Sequence, residues 1–202
     1  GSVEHTGRRL PAYEIPRRDG SGHIALRGRV DRVDVNRETH EFRVYDYKSG
    51  TEPQRRKALE GIDFQLMTYI ESLVGQSGCE IPVAAAFYGL KDPRKTGPAG
   101  HIANAEADSD APRRGAGAMT ADVFERFRGY VRENTVEVDE HMRAGRFHVT
   151  LHDERTAGCG TCSFREICRL DRVRQHGMRT EQPHYRPEPF SEEAPDEGAS
   201  SP

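Results

Sequence analysis

Apolar and polar positions alternate with a period of two through the first quarter of the chain. Residues 12–18 and 22–35 read as strands around the turn Asp19-Gly20-Ser21-Gly22. Residues 41–48 read as a further strand after the polar, turn-like stretch Asn36-Arg37-Glu38-Thr39-His40, and Pro53 closes the strand region. From about Arg55 to Val74 the period lengthens to that of a helix. Leu59, Ile62, Leu66, Tyr69, Ile70 and Leu73 share one stripe, and Gly75 and Gly78 end it. Pro82 leads into a mostly apolar run over 83–90 that predicts a buried strand. Residues 91–119, rich in Gly, Ala, Pro and charge, predict a long mobile connection. Thr120 predicts the N-cap of a helix reaching about Ala144, with apolar contacts from Val123, Phe124, Phe127, Tyr130, Val131, Val138 and Met142, and Gly145 as its stop. Beyond about residue 176 the Pro, Glu and Ser content predicts disorder. There is no internal repeat.

The strand pair is specific enough to fix a register. Pairing Val35 with Phe42 sets Val33 against Val44 and Asp31 against Asp46, all on one face. The other face then pairs Asp34 with Arg43, Arg32 with Tyr45 and Val30 with Tyr47. Slipping by one residue destroys the apolar match. This register sets two carboxylates, Asp31 and Asp46, opposite one another at the end of an apolar face, where like charges repel. Lys48 shares that face but is a single cation. A divalent ion offsets two acids better, and Mg²⁺ binds through one or two carboxylates while keeping waters and substrate phosphates. A surface hairpin with scattered charges is the plain alternative. Asp34, opposite Arg43, reads instead as half of an ordinary cross-strand ion pair.

Length and composition set the bounds. The chain has 202 residues, 34% hydrophobic and 31% charged, which suits one domain of ordinary size with an appended segment. No run of eighteen apolar residues is present. The opening Gly1-Ser2 reads as a cloning scar, so a piece of a longer protein is expected. The net charge is −3, but residues 188–202 carry Glu188, Glu192, Glu193, Asp196 and Glu197 with no base. Without them 30 basic residues face 28 acidic ones, so the remainder is mildly basic and demands no nucleic-acid partner. Of the bases, 26 are Arg and four are Lys. Arg suits phosphate forks, although the bias also follows from genome composition.

The strand Gly28-Arg29-Val30-Asp31-Arg32-Val33-Asp34, followed by Asp46-Tyr47-Lys48-Ser49-Gly50, resembles the PD-(D/E)XK nucleases, and most closely their RecB-like branch with the AddB-type nuclease domains. Asp31 matches that family's first acidic motif, and Asp46 and Lys48 match its (D/E)-x-K. Gln65-Leu66-Met67-Thr68-Tyr69 matches its Gln-x-x-x-Tyr motif. The resemblance covers about residues 10–175. It implies an α/β fold with a restriction-endonuclease-like core, a mixed central sheet flanked by helices, over residues 1–175. A Cys-rich segment at 158–170 and a disordered acidic tail at 176–202 would follow. It implies that Asp31, Asp46 and the backbone carbonyl of Tyr47 hold Mg²⁺ or Mn²⁺, and that Lys48 orients the attacking water and stabilises transition-state charge. Expected products carry 5′-phosphate and 3′-hydroxyl ends. Gln65 and Tyr69, at i and i+4, are helix neighbours. By themselves they read equally well as a boundary residue beside a core Tyr; the resemblance implies support of the active site or contact with DNA beside it.

Cys159, Cys162 and Cys168 form C-x₂-C-x₅-C, which reads as metal coordination rather than a disulfide framework. The resemblance makes them three ligands of a [4Fe–4S] cluster of structural role, which takes four thiolates in all. The resemblance implies that the family's fourth Cys and its metal-binding His would come from chain upstream of Gly1. Cys79 matches no family position and reads as an unliganded thiol, and none of the nine His sits in the expected helical context. The function implied is a cytoplasmic, metal-dependent exonuclease module of a helicase–nuclease acting in double-strand-break repair. Its partners would be DNA and an AddA-like helicase subunit, with no membrane. Alternatives are a free-standing exonuclease of CRISPR adaptation, a catalytically silent DNA-binding scaffold, and a zinc-binding interaction module.

Overall fold

A computed structural model of the chain describes residues 12–49, 55–76, 78–90, 98–104, 118–146 and 188–193. The chain divides into two compact units, residues 1–137 with 188–202, and residues 138–187.

Two strands, β1 (Tyr13–Pro16) and β2 (His23–Leu26), form an antiparallel hairpin with Tyr13 opposite Leu26. Its turn closes where Asp19 Oδ1 accepts the Ser21 amide at 2.9 Å. Ile15 and Ile24 pack with Val136, giving the hairpin a small apolar cluster of its own. The expected continuous strand over 22–35 is instead broken. Residues 27–31 leave the ladder, and pairing resumes at β3 (Arg32–Val35).

β3 pairs antiparallel with β4 (Glu41–Lys48) in the register expected from the apolar match: Val35 with Phe42, Asp34 with Arg43, Val33 with Val44, Arg32 with Tyr45. Asn36 shapes the turn between them. Its Oδ1 accepts the amides of Glu38 at 3.0 Å and Thr39 at 3.3 Å, and His40 closes it at φ 59°. β4 runs parallel to β5 (Ile81–Gly89), β5 antiparallel to β6 (Pro98–Asn104), and β6 parallel to β7 (Ala118–Met119). The result is a five-stranded mixed sheet in the order β3-β4-β5-β6-β7. Strands β6 and β7 lie within the stretch that the sequence led us to expect as a connection. Their residues are mostly small, and pairing with the Ala-rich β5 (Ala84 with Ala103, Ala85 with Ile102) supplies what intrinsic propensity does not.

The expected helix over 55–74 is two helices, α1 (Arg55–Leu59) and α2 (Gln65–Leu73). Gly61, at φ 72°, ends the first: its amide donates to the Ala58 carbonyl at 3.1 Å, and the Ile62 amide donates to that of Lys57 at 2.8 Å. That pair of bonds is a Schellman motif, which needs a left-handed residue at Gly61. Ile62, placed on the apolar stripe by periodicity, is consequently exposed. α3 (Ala121–Arg143) begins where Thr120 Oγ1 accepts the Val123 amide at 3.3 Å, the N-cap anticipated from the sequence. Gly145, at φ 67°, follows its end. Val138 and Met142, in the last turns, are exposed.

One face of the sheet carries the main core. Phe42 and Val44 of β4, Ala85 and Phe87 of β5 and Ile102 of β6 meet Leu66, Met67, Ile70 and Leu73 of α2 and Phe124, Phe127 and Val131 of α3. Full burial of such side chains stabilises by about 1.5–3 kcal/mol each. A charged cluster ties the helices together beside this core. The buried Glu71 carboxylate accepts from Arg128 Nε, from Arg132 Nη1 at 3.4 Å and from Tyr13 Oη at 3.3 Å. Burial alone would lower the Arg128 pKa, but its bonds to Glu71 and Glu125 win and raise it. Burial and the Glu71 charge together push the Tyr13 phenol above its ordinary value.

Candidate active site

The alternation of β4 turns Phe42, Val44 and Asp46 to the core face. Asp46 thus follows two fully buried apolar residues and is itself 4% exposed. A buried carboxylate needs partners. They arrive from sequence positions the motifs had singled out. Lys48, two residues along the same face, brings Nζ to 2.6 Å from Asp46 Oδ2. Gln65, the first residue of α2, donates from Nε2 to Asp46 Oδ1 at 2.9 Å and to Tyr69 Oη at 2.8 Å. Its Oε1 accepts from Lys48 Nζ at 2.7 Å.

The Gln65 side-chain amide therefore gives both of its hydrogens and accepts one bond. It closes a ring of three residues with Asp46 and Lys48 and rests on the Tyr69 hydroxyl one helical turn away. The α1–α2 break makes this possible. Asp63 Oδ1 accepts the Gln65 backbone amide at 3.0 Å, so α2 starts afresh at the residue that must point at Asp46. Lys48 Nζ also stands 5.0 Å from the centre of the Phe87 ring, a cation–π contact. Phe87 is the β5 partner of Asp46 in the parallel ladder. Sequence reasoning did not single it out, because the β4–β5 register is set by tertiary packing. Gly28 was quoted only as part of a motif. A Cβ there would lie 3.6 Å from Tyr69 Cε1, so the backbone runs close against that ring.

Asp31 differs from expectation. It is exposed and precedes the first ladder residue of β3, so it is not a cross-strand ladder partner of Asp46. Its Oδ2 instead accepts the backbone amide of Tyr47 at 3.0 Å, which holds it beside the residue that follows Asp46. The loss of the ladder at 27–31 relieves the direct opposition of the two acids. Asp34 stands opposite Arg43 as expected, but its fork comes from Arg32 on its own strand, Nε at 2.7 Å and Nη2 at 2.6 Å. Residues i and i+2 share a face, and the planar guanidinium matches a carboxylate with two bonds. Those bonds to Asp34, with a further one to Tyr47, raise the Arg32 pKa. Arg32 also lies over the Tyr45 ring at 5.1 Å. Asp34 is thus in a structural ion pair. Tyr47 points to the opposite face from Asp46, edge-on to Tyr88 at 5.7 Å.

Among the described residues, no group of three or more His, Cys, Asp or Glu side chains is gathered as a metal site. The donor set at hand is Asp46, Asp31 and backbone oxygen, which suits a hard ion that keeps most of its water. Asp46 Oδ2 is buried and meets the Lys48 ammonium at 2.6 Å, so a metal ion there would share that oxygen with Lys48. Cys159, Cys162 and Cys168 lie outside the described residues. Cys79 is a free thiol buried in the main core, its pKa raised by burial and by Glu80, as befits an inert packing residue. His40 pairs with Glu80 at 3.0 Å, on the β3–β4 turn.

A buried acid and a lysine two residues apart on one strand, with a Gln-x-x-x-Tyr helix bonded to them, form the motif pattern of a class of nucleases. The chain matches the PD-(D/E)XK nuclease superfamily over residues 2–169 and belongs to it. Among curated proteins it is similar to the B-type subunit of the ATP-dependent helicase/deoxyribonuclease of Lacticaseibacillus casei, 36% identical over 95 residues, or 43% of this chain and 8% of that protein. It is likewise similar to the corresponding subunit of Clostridium perfringens, 24% identical over 198 residues, covering 72% of this chain and 17% of that protein. The chain thus spans less than a fifth of the length of these relatives.

Proposed function

We propose that the chain is the nuclease module of a helicase–nuclease: a divalent-metal-dependent deoxyribonuclease that removes nucleotides from DNA ends during double-strand-break repair. The observation that carries this reading is the buried Asp46 carboxylate, held by Gln65 at Oδ1 and by Lys48 at Oδ2 at the end of the sheet's core face. Asp46, Asp31 and the Tyr47 carbonyl would hold Mg²⁺ or Mn²⁺. The ion supplies Lewis acidity toward the phosphate and activates water. Lys48 orients the attacking water and offsets charge that develops on the phosphoryl oxygens. Gln65 fixes both Asp46 and Lys48, and Tyr69 fixes Gln65. Cleavage would leave 5′-phosphate and 3′-hydroxyl ends.

The relatives' designation as one subunit of a helicase/deoxyribonuclease supports a helicase subunit as the partner and DNA as the substrate. Cys159, Cys162 and Cys168 would give three thiolates to a structural [4Fe–4S] cluster, which takes four; iron analysis of the purified protein tests it. The nuclease reading is tested by Mg²⁺-dependent digestion of end-labelled single-stranded DNA. Asp46→Ala and Lys48→Ala each abolish cleavage with the fold retained, and full activity in either variant removes the assignment.

A further inference from the structure

Residues 188–193, within the tail expected from composition to be disordered, are docked. The Phe190 amide donates to the Leu59 carbonyl at 2.7 Å, and Tyr130 Oη donates to the Glu188 carbonyl at 2.8 Å. The Phe190 ring packs against Phe127 at 5.0 Å and Tyr130 at 5.5 Å, with the Arg126 guanidinium 5.6 Å from its centre. Arg126 donates to the carbonyls of Ser191 at 3.3 Å, Glu192 at 2.9 Å and Glu193 at 3.2 Å. Arg55 Nη2 bonds the Glu192 carboxylate.

The groove between α1 and α3 thus offers stacking rings together with two guanidiniums whose bonds to the segment are all donated. Its occupant supplies one aromatic ring and a run of oxygen acceptors. Single-stranded nucleic acid offers the same two things, bases for stacking and phosphate oxygens for arginine. Arg55 is the less satisfied of the two cations. Its Nε is buried without a hydrogen-bond partner while Nη2 holds Glu192. Glu192 engages Nη2 alone, through Oε1, whereas a bidentate phosphate would satisfy Nε and Nη2 together. One of its rings leads toward the candidate site along the chain. Tyr130 packs edge-on to Phe64 at 6.0 Å, and Phe64 immediately precedes Gln65.

We propose that this groove, formed by Arg55, Phe64, Arg126, Phe127 and Tyr130, is a track for single-stranded DNA, and that Glu188–Glu193 is a displaceable mimic occupying it. The proposal rests on the nuclease reading. It adds where the strand lies and assigns the acidic segment a competing role that keeps the groove closed to weak or non-cognate ligands.

The chain contains no tryptophan, so Phe190→Trp installs a single indole as a reporter of docking. That variant is titrated with unlabelled oligo-dT in EDTA, so that nothing is cleaved. A red shift of the indole emission that saturates with the oligonucleotide and reverses with salt is expected. In the chain with Phe190 intact, Glu192→Gln loosens the mimic and tightens binding of fluorescein-labelled oligo-dT several-fold by anisotropy. Arg55→Ala lowers the log–log salt slope by about 0.7, one phosphate contact on a single strand. Binding with the indole emission unmoved overturns the proposal. So does failure to bind, or weaker binding by Glu192→Gln, the mark of a structural strap. Mg²⁺-dependent cleavage by the unaltered chain is followed in parallel. Cleavage retained with the emission unmoved removes the track alone, whereas absence of cleavage alongside a saturating red shift leaves the track standing and counts against the nuclease reading.

Discussion

Gln65 acts as a joint between two charges. It donates to Asp46 and Tyr69 and accepts from Lys48, and no other residue type of its length supplies two donors and an acceptor in that plane. Gln65→Glu would set a second carboxylate against Asp46 and lose both donated bonds. Cleavage of single-stranded DNA is expected to fall about 10–100-fold, the usual cost of losing a residue that orients a metal ligand. The melting temperature should change little beside that loss. Activity within twofold of the unaltered chain would contradict the role. Asp46, Lys48 and Gln65 were legible as residues because their spacing is a motif. Their mutual bonds were not, since they depend on where α2 restarts. Asp34 shows the limit more sharply. Its cross-strand partner Arg43 was readable from register, but the competing Arg32, two residues away on the same face, supplies the fork.

At the scale of elements, the β3–β4 register was readable because Val33, Val35, Phe42 and Val44 can match in only one way. The break between α1 and α2 was not, since Ile62 continued the helical period across it. Gly61 is the cause, and its left-handed backbone is the test. Gly61→Ala should destabilise by about 1–2 kcal/mol, the cost of a Cβ in that conformation, measured by urea denaturation. An unchanged midpoint would mean the turn does not require glycine. Strands β6 and β7 escaped notice because their residues are mostly small. Their order comes from the neighbouring strand rather than from their own pattern. Residues 188–193 escaped notice for a related reason. Composition over 176–202 hid a single Phe190 with an aromatic groove to fill.

For the whole molecule, the cluster of Tyr13, Glu71, Arg128 and Arg132 links the β1–β2 hairpin to α2 and α3. Burial and Glu71 raise the Tyr13 pKa above its ordinary 10.0, so the folded chain holds that proton more tightly than the unfolded one. The corresponding stability is complete below pH 10 and is lost as pH rises through the higher folded value. Thermal stability should therefore fall above about pH 10, and Tyr13→Phe should flatten the fall; an equally steep decline in the variant would place its origin elsewhere.

No helix among the described residues is long and apolar enough to cross a membrane. What the molecule presents instead is a mixed sheet whose core face ends in Asp46, with Asp31 held close by through the Tyr47 amide. On the function proposed above, these acids share a divalent cation. Isothermal titration with Mn²⁺ tests it most directly, independently of any turnover. The unaltered chain should take up Mn²⁺, Asp46→Asn should abolish that uptake, and Asp31→Asn should weaken it. Mn²⁺ binding of equal affinity in Asp46→Asn would mean that Asp46 holds no cation.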